Sequence, residues 1–227
     1  MNTETLSFET SNGATTAYVA LPAETQTKNA IILIHEWWGI NDHIRDIAGR
    51  YAREGYICIA PDLYRGKTTT DQQEASKLMH ELALDDGIDI INRTIEESRE
   101  RYGLEKFAIT GYCMGGTFAL RAACLNDALS ASAAFYGDIP ADETLARLKV
   151  PTLFIAGARD NWITPEKVEG LKEAARTHGL PVEVVSYDAD HAFFNDTRPE
   201  VYHPEAAADA WQRVLTFFSE TLRSNAN

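Results

Sequence analysis

The chain has 227 residues, 44% of them hydrophobic, with 34 acidic against 21 basic side chains and a net charge of −13. That length suits one domain, residues 1–227, with a substantial apolar core, and the acidic surplus excludes nucleic-acid partners by repulsion from the phosphate backbone. The three cysteines form neither a disulfide framework nor a zinc pattern, and no apolar run approaches the ~20 residues of a membrane span, so a protein of the reducing cytoplasm is expected, without a signal peptide in "MNTETLSFET".

The chain opens with "LSFET", "SNG" and "TTAYVAL", which read as two strands around an Asn-Gly turn. A polar connection, "AETQTKN", leads to "AIILI", a short β-branched run typical of a strand covered on both faces. In "HIRDIAGRYAREG", Ile44, Ile47, Ala48 and Tyr51 share one helical face and Gly55 is the stop. "YICIA" is the next buried strand, closed by "PDLYRGK". A long helical region follows from about Asp71 to Arg101, with a break expected near Asp85-Asp86-Gly87.

"KFAIT" is a strand, "GTFALRAAC" a helix and "SASAAFYG" a strand ending in a Gly-Asp loop. After a short helical stretch come the strand "PTLFIAG", the loop "ARDNWITP" and the helix "EKVEGLKEAARTHG", stopped at Gly179. The strand "VEVVSY", the loop "DADHAFFND" and an amphipathic helix, "HPEAAADAWQRVLTFFSETL", complete the chain. Alternation of this kind implies an α/β fold: a mostly parallel central sheet with helices on both faces, here behind an N-terminal β-hairpin and with no separate cap domain. Ligands of such sheets gather at the carboxyl ends of the strands. The loops there supply aromatic candidates for a pocket wall: Trp38, Tyr64, Tyr112, Tyr136, Trp162 and Phe193.

Among those loops, "GYCMG" has the G-x-nucleophile-x-G form, with cysteine in place of serine. The glycines suit a sharp strand-to-helix turn, where side chains two residues from the nucleophile would strike neighbouring backbone. The turn sets the sulfur of Cys113 at a helix N-terminus, whose positive end favours thiolate over thiol. His191, in the loop after the last strand, is the candidate base. His43, His80, His178 and His203 sit on helices or at helix starts and are read as solvated. "HEWWG" lacks the second histidine of a zinc-protease helix, so no metal is assigned. The acid should follow the penultimate strand, which favours Asp160 over Asp188 and Asp190, the sequence neighbours of His191. The oxyanion donors would be the N–H of Met114, directly after the nucleophile, and that of Trp37, after "AIILI".

Taken together, "HEWWG", "APDLY", "GYCMGG", "ARD" and "DHAFF" resemble the dienelactone hydrolase family, carboxymethylenebutenolidase-like α/β-hydrolases, from about Leu6 to the C-terminal helix. The resemblance implies a Cys-His-Asp triad of Cys113, His191 and Asp160. The expected substrate is a small-molecule ester or lactone, with no cofactor, and the expected state is a monomer or homodimer. The resemblance also implies that Glu36 partners the thiol and receives its proton when substrate arrives. The chain departs from the family where a substrate carboxylate is gripped. The positions fall on Gln72, Ser76 and Asn195, none of which can pair bidentately with a carboxylate, and Arg65, Lys67 or Arg198 are the nearby substitutes. Dienelactone itself is therefore in question. Other activated acyl compounds, such as thioesters, stay open as substrates, as does a non-hydrolytic thiol-based binding or redox-sensing role.

Overall fold

The computed structural model describes residues 1–24 and 27–223; residues 25 and 26, inside the polar connection, lie outside the described residues. The chain divides into two compact units, Met1–Ile109 and Thr110–Asn227.

In the first unit, strands β1 (Asn2–Thr10) and β2 (Gly13–Leu21) pair antiparallel, and β3 (Asn29–Ile34) runs parallel to β4 (Ile57–Pro61). The order across the unit is β1-β2-β4-β3-β5, β5 (Lys106–Tyr112) being the strand that passes from one unit into the next. The hairpin register pairs Thr10 with Gly13, so the turn residues are Ser11 and Asn12 rather than Asn-Gly. Gly13, with φ +114°, already belongs to β2. In β3, Ile31, Ile32, Leu33 and Ile34 are wholly buried, and burying each such side chain contributes ~1.5–3 kcal/mol. Helix α1 (Asp42–Arg53) buries Ile44, Ile47, Ala48 and Tyr51, the stripe its periodicity predicts, and Asn41 caps it by accepting the Ile44 N–H at 3.1 Å.

His43 is a correction: it is buried rather than solvated. The long helical region is also differently divided. Helix α2 (Gln72–Glu81) stops at Leu82, and α3 (Leu84–Tyr102) begins after the extended residue Ala83. Asp85, Asp86 and Gly87 thus open a helix instead of breaking one. Acidic residues suit a first turn, where the helix dipole is positive, and Asp86 is further held by Arg65 through two 2.6 Å hydrogen bonds.

In the second unit the order is β5-β6-β7-β8, with β6 (Leu129–Phe135), β7 (Thr152–Gly157) and β8 (Val182–Tyr187) parallel. Helix α4 (Met114–Leu125) packs on β6 and is buried almost all round, which explains its weak amphipathic signal. The short α5 (Asp142–Leu145) follows β6. Helix α6 (Pro165–His178) lies against β8 and ends at Gly179 in the left-handed region. Helix α7 (Pro204–Arg223) turns Ala206, Ala207, Ala210, Val214, Phe218 and Leu222 inward. Among the described residues no helix is long and apolar enough to cross a membrane.

Candidate active site

The site is built from the ends of the second unit's strands. Cys113 caps α4 with φ 55° and ψ −117°, a conformation that costs a non-glycine residue ~1–3 kcal/mol and needs support from its surroundings. The support is a set of close backbone approaches. A Cβ on Gly111 would lie 2.2 Å from the Gly115 carbonyl oxygen, and one on Gly116 would lie 2.3 Å from that of Phe135. With those side chains absent, the first turn of α4 presses against the end of β6, and the Cys113 N–H donates to the Phe135 carbonyl at 3.1 Å.

The residue directly after β6 connects this turn to the imidazole. Tyr136, itself at φ 38°, packs its ring 5.0 Å from that of His191. Trp162 covers the same imidazole at 5.4 Å, and Phe193 packs on Tyr136 at 5.5 Å. Cys113 and His191 are thus set against consecutive residues of one strand end. Tyr112 and Phe193 are wholly buried, Tyr112 stacking on Phe194 at 4.9 Å, whereas Trp162 is 44% exposed.

His191 Nδ1 lies 2.6 Å from Asp160 Oδ2. A carboxylate only accepts, so Nδ1 carries the proton, and in the neutral imidazole Nε2 is the nitrogen with the free lone pair. Nε2 is buried and has no hydrogen-bond partner among the described residues. The other Asp160 oxygen accepts the N–H groups of Trp162 at 2.7 Å and Ile163 at 2.9 Å. Burial pushes the Asp160 carboxyl upward, but the hydrogen bond and charge of His191, with those two N–H groups, outweigh it and hold the group below the usual carboxylate range. Asp188 and Asp190 are engaged elsewhere. Both pair with Arg159, Asp190 Oδ1 accepting from Nε at 3.2 Å. Arg159 was not among the sequence candidates; its only signal was a cation beside Asp160 facing two acidic neighbours of His191.

Glu36, Trp37, Trp38 and Tyr64 belong to the first unit. Glu36 is buried, and its carbonyl accepts from His35 Nδ1 at 2.6 Å and from the Gly39 N–H at 3.2 Å. His35 Nε2 accepts the Leu63 N–H at 3.2 Å, so one wholly buried imidazole joins the loop after β3 to the loop after β4. Burial lowers the His35 pKa despite the opposing Glu36 carbonyl and Asp62 charge, which keeps the ring neutral for that double role. Trp37 and Trp38 meet edge to face at 5.0 Å, and Tyr64 packs 4.9 Å from His35.

The departures from the carboxylate-gripping pattern have structural counterparts. Gln72 is exposed on α2, Ser76 accepts through its carbonyl from His80 Nδ1 at 2.6 Å, and the buried Asn195 accepts from Thr197 N–H at 3.0 Å and Oγ1 at 2.6 Å. Of the substitutes, Arg65 is engaged bidentately by Asp86, and Arg198 donates to Glu200 at 2.8 Å.

Residues 15–222 match the model of the dienelactone hydrolase family. The chain is 34% identical to "Protein usf" of Aquifex pyrophilus, over 95% of this chain and 97% of that one. It is also 34% identical to a protein of Escherichia coli (strain K12) named "Putative carboxymethylenebutenolidase", over 90% of this chain and 82% of that one. A crystal structure from Klebsiella pneumoniae, named "Putative Dienelactone Hydrolase", superposes with a TM-score of 0.89 at 30% identity, covering 96% of this chain and 98% of that one.

Proposed function

This chain belongs to the dienelactone hydrolase family, with the α/β-hydrolase fold, and on that premise we propose that it hydrolyses a small uncharged ester or lactone through a thioester on Cys113. The observation that carries the reading is the Asp160–His191 pair, whose buried Nε2 has no partner among the described residues and whose ring packs on the strand end that receives the Cys113 N–H.

In the first half-reaction the sulfur attacks the carbonyl carbon. The thiol proton passes to His191 Nε2, with Glu36 as the alternative acceptor that the family resemblance implies. The oxyanion is held by the Met114 N–H and, by the same resemblance, that of Trp37. As the carbon–oxygen bond breaks, His191 protonates the leaving oxygen, which departs as an alcohol or, in a lactone, stays tethered to the acyl group. In the second half His191 takes a proton from water, the hydroxide adds to the thioester carbon, and the carbon–sulfur bond breaks to release the acid while His191 returns the proton to the Cys113 sulfur. Asp160 keeps the ring in the reactive tautomer and stabilises the imidazolium. An uncharged substrate fits Gln72, Ser76 and Asn195 at the positions where the family pattern grips a carboxylate.

The test is turnover of p-nitrophenyl acetate by purified variants. Cys113→Ala should lose activity by at least about a thousandfold, and Asp160→Asn by about a hundredfold or more, with the fold retained. Undiminished turnover by Cys113→Ala would refute the nucleophile assignment. Undiminished turnover by Asp160→Asn would pass the acid role to Asp188 or Asp190.

A further inference from the structure

Three carboxylates stand on the two loops that bring His191 and its acid together. Asp160 follows β7; Asp188 and Asp190 follow β8 and immediately precede His191. The loops are closely joined. Strands β7 and β8 end side by side, with Gly157 opposite Tyr187. Beyond them the Ala158 N–H donates to the Tyr187 carbonyl at 2.7 Å and the Arg159 N–H to that of Ala189 at 3.1 Å. A Cβ on Gly157 would lie 2.5 Å from the Ala189 carbonyl oxygen, so the approach leaves no room for a side chain there. Ala192, directly after His191, sits at φ 64°, so the turn that presents the imidazole is itself strained.

The loops that hold the imidazole thus carry three carboxylates, of which one meets its N–H. Asp160 is anchored by two backbone N–H groups on one oxygen and offers the other to the ring. Asp188 and Asp190 have no such anchor in their own loop; their side chains are 87% and 49% exposed, and both turn to the one guanidinium. Exposed ion pairs of this kind contribute little to stability, but here the pairing fixes two negative charges of the loop that carries the ring. We infer that Arg159 is a positioning residue for the imidazole: by gathering Asp188 and Asp190 on its guanidinium, it leaves the Nδ1–H of His191 to Asp160. The inference rests on the proposed hydrolytic role only for its kinetic consequence; the geometric claim stands apart from it.

The experiment compares the parent protein with Arg159→Gln and with the triple variant Arg159→Gln/Asp188→Asn/Asp190→Asn. Two readouts are taken: kcat and KM on p-nitrophenyl acetate, and the downfield NMR signal of the His191 Nδ1–H, assigned by its loss in Asp160→Asn. Arg159→Gln should lower kcat about tenfold with KM little changed, because a small misplacement of a catalytic group is felt mainly in the reaction step, and its Nδ1–H signal should broaden. Neutralising the two aspartates in the same background should restore both. A mere staple between the loops would not be rescued in this way, since the triple variant has lost both ion pairs. An unchanged Nδ1–H signal in Arg159→Gln, or no recovery in the triple variant, overturns the inference. Should the signal change and recover as described while the parent shows no esterase activity, the hydrolytic reading fails and the positioning role stands.

Discussion

Three thiols share this chain, and their surroundings make them chemically unlike. Cys58 is wholly buried in β4, and burial pushes its pKa far upward. Burial likewise raises that of Cys124 to about 11, against a modest opposing pull from Arg121 and Arg147. Cys113 is also largely covered, but it caps a helix at the positive end of the dipole, and its N–H is held by Phe135, next to the Tyr136 on which the His191 ring packs. At neutral pH, limiting iodoacetamide should therefore modify one equivalent of thiol, recovered in the Cys113 peptide. Cys58 and Cys124 should react only after denaturation. Label spread over all three peptides in the native protein would contradict a special environment for Cys113. This residue was legible in the sequence because its flanking glycines are local. The pairing of Asp160 with His191 was legible from loop order alone. The pairing of Asp188 and Asp190 with Arg159 was not, since it spans 29 and 31 positions of chain.

The elements were legible where one force dominated. The buried face of α1 follows from spacing because a soluble helix has one apolar stripe to hide. The division of α2 from α3 was misplaced because Asp-Asp-Gly reads equally as a breaker or as an acidic first turn, and the Arg65–Asp86 pair favours the second. The hairpin turn was displaced by one residue because Gly13 could serve as turn or as first strand residue. Glycines give the sharpest test at this scale. Gly116→Ala should destabilise the protein by about 3 kcal/mol, as a Cβ there would drive the α4 turn off the Phe135 carbonyl. Gly170→Ala, inside α6 and with nothing within 4 Å of its Cβ, should stabilise it by about 0.5–1 kcal/mol. Urea denaturation of the two variants checks both; equal midpoints would mean that the tight elbow is not what holds the turn.

At the scale of the whole molecule, alternation of strand and helix was enough to give the fold class, because each parallel pair needs a crossover that buries its apolar side on the sheet. The family match over residues 15–222 supports the same reading across nearly the full chain. The sequence was less informative about substrate, which depends on side chains converging from distant loops. Gln72, Ser76 and Asn195 indicate only what is not gripped, and the net charge of −13 adds a field that disfavours polyanions. The central claim is a covalent acyl group on one sulfur, and acid-quenched mass spectrometry after mixing with p-nitrophenyl acetate tests it most directly. The account predicts one added acetyl group per chain, confined to the Cys113 peptide and absent from Cys113→Ala. A parent protein that turns over the ester yet carries the acetyl group elsewhere, or a Cys113→Ala variant acylated to the same extent, would contradict it.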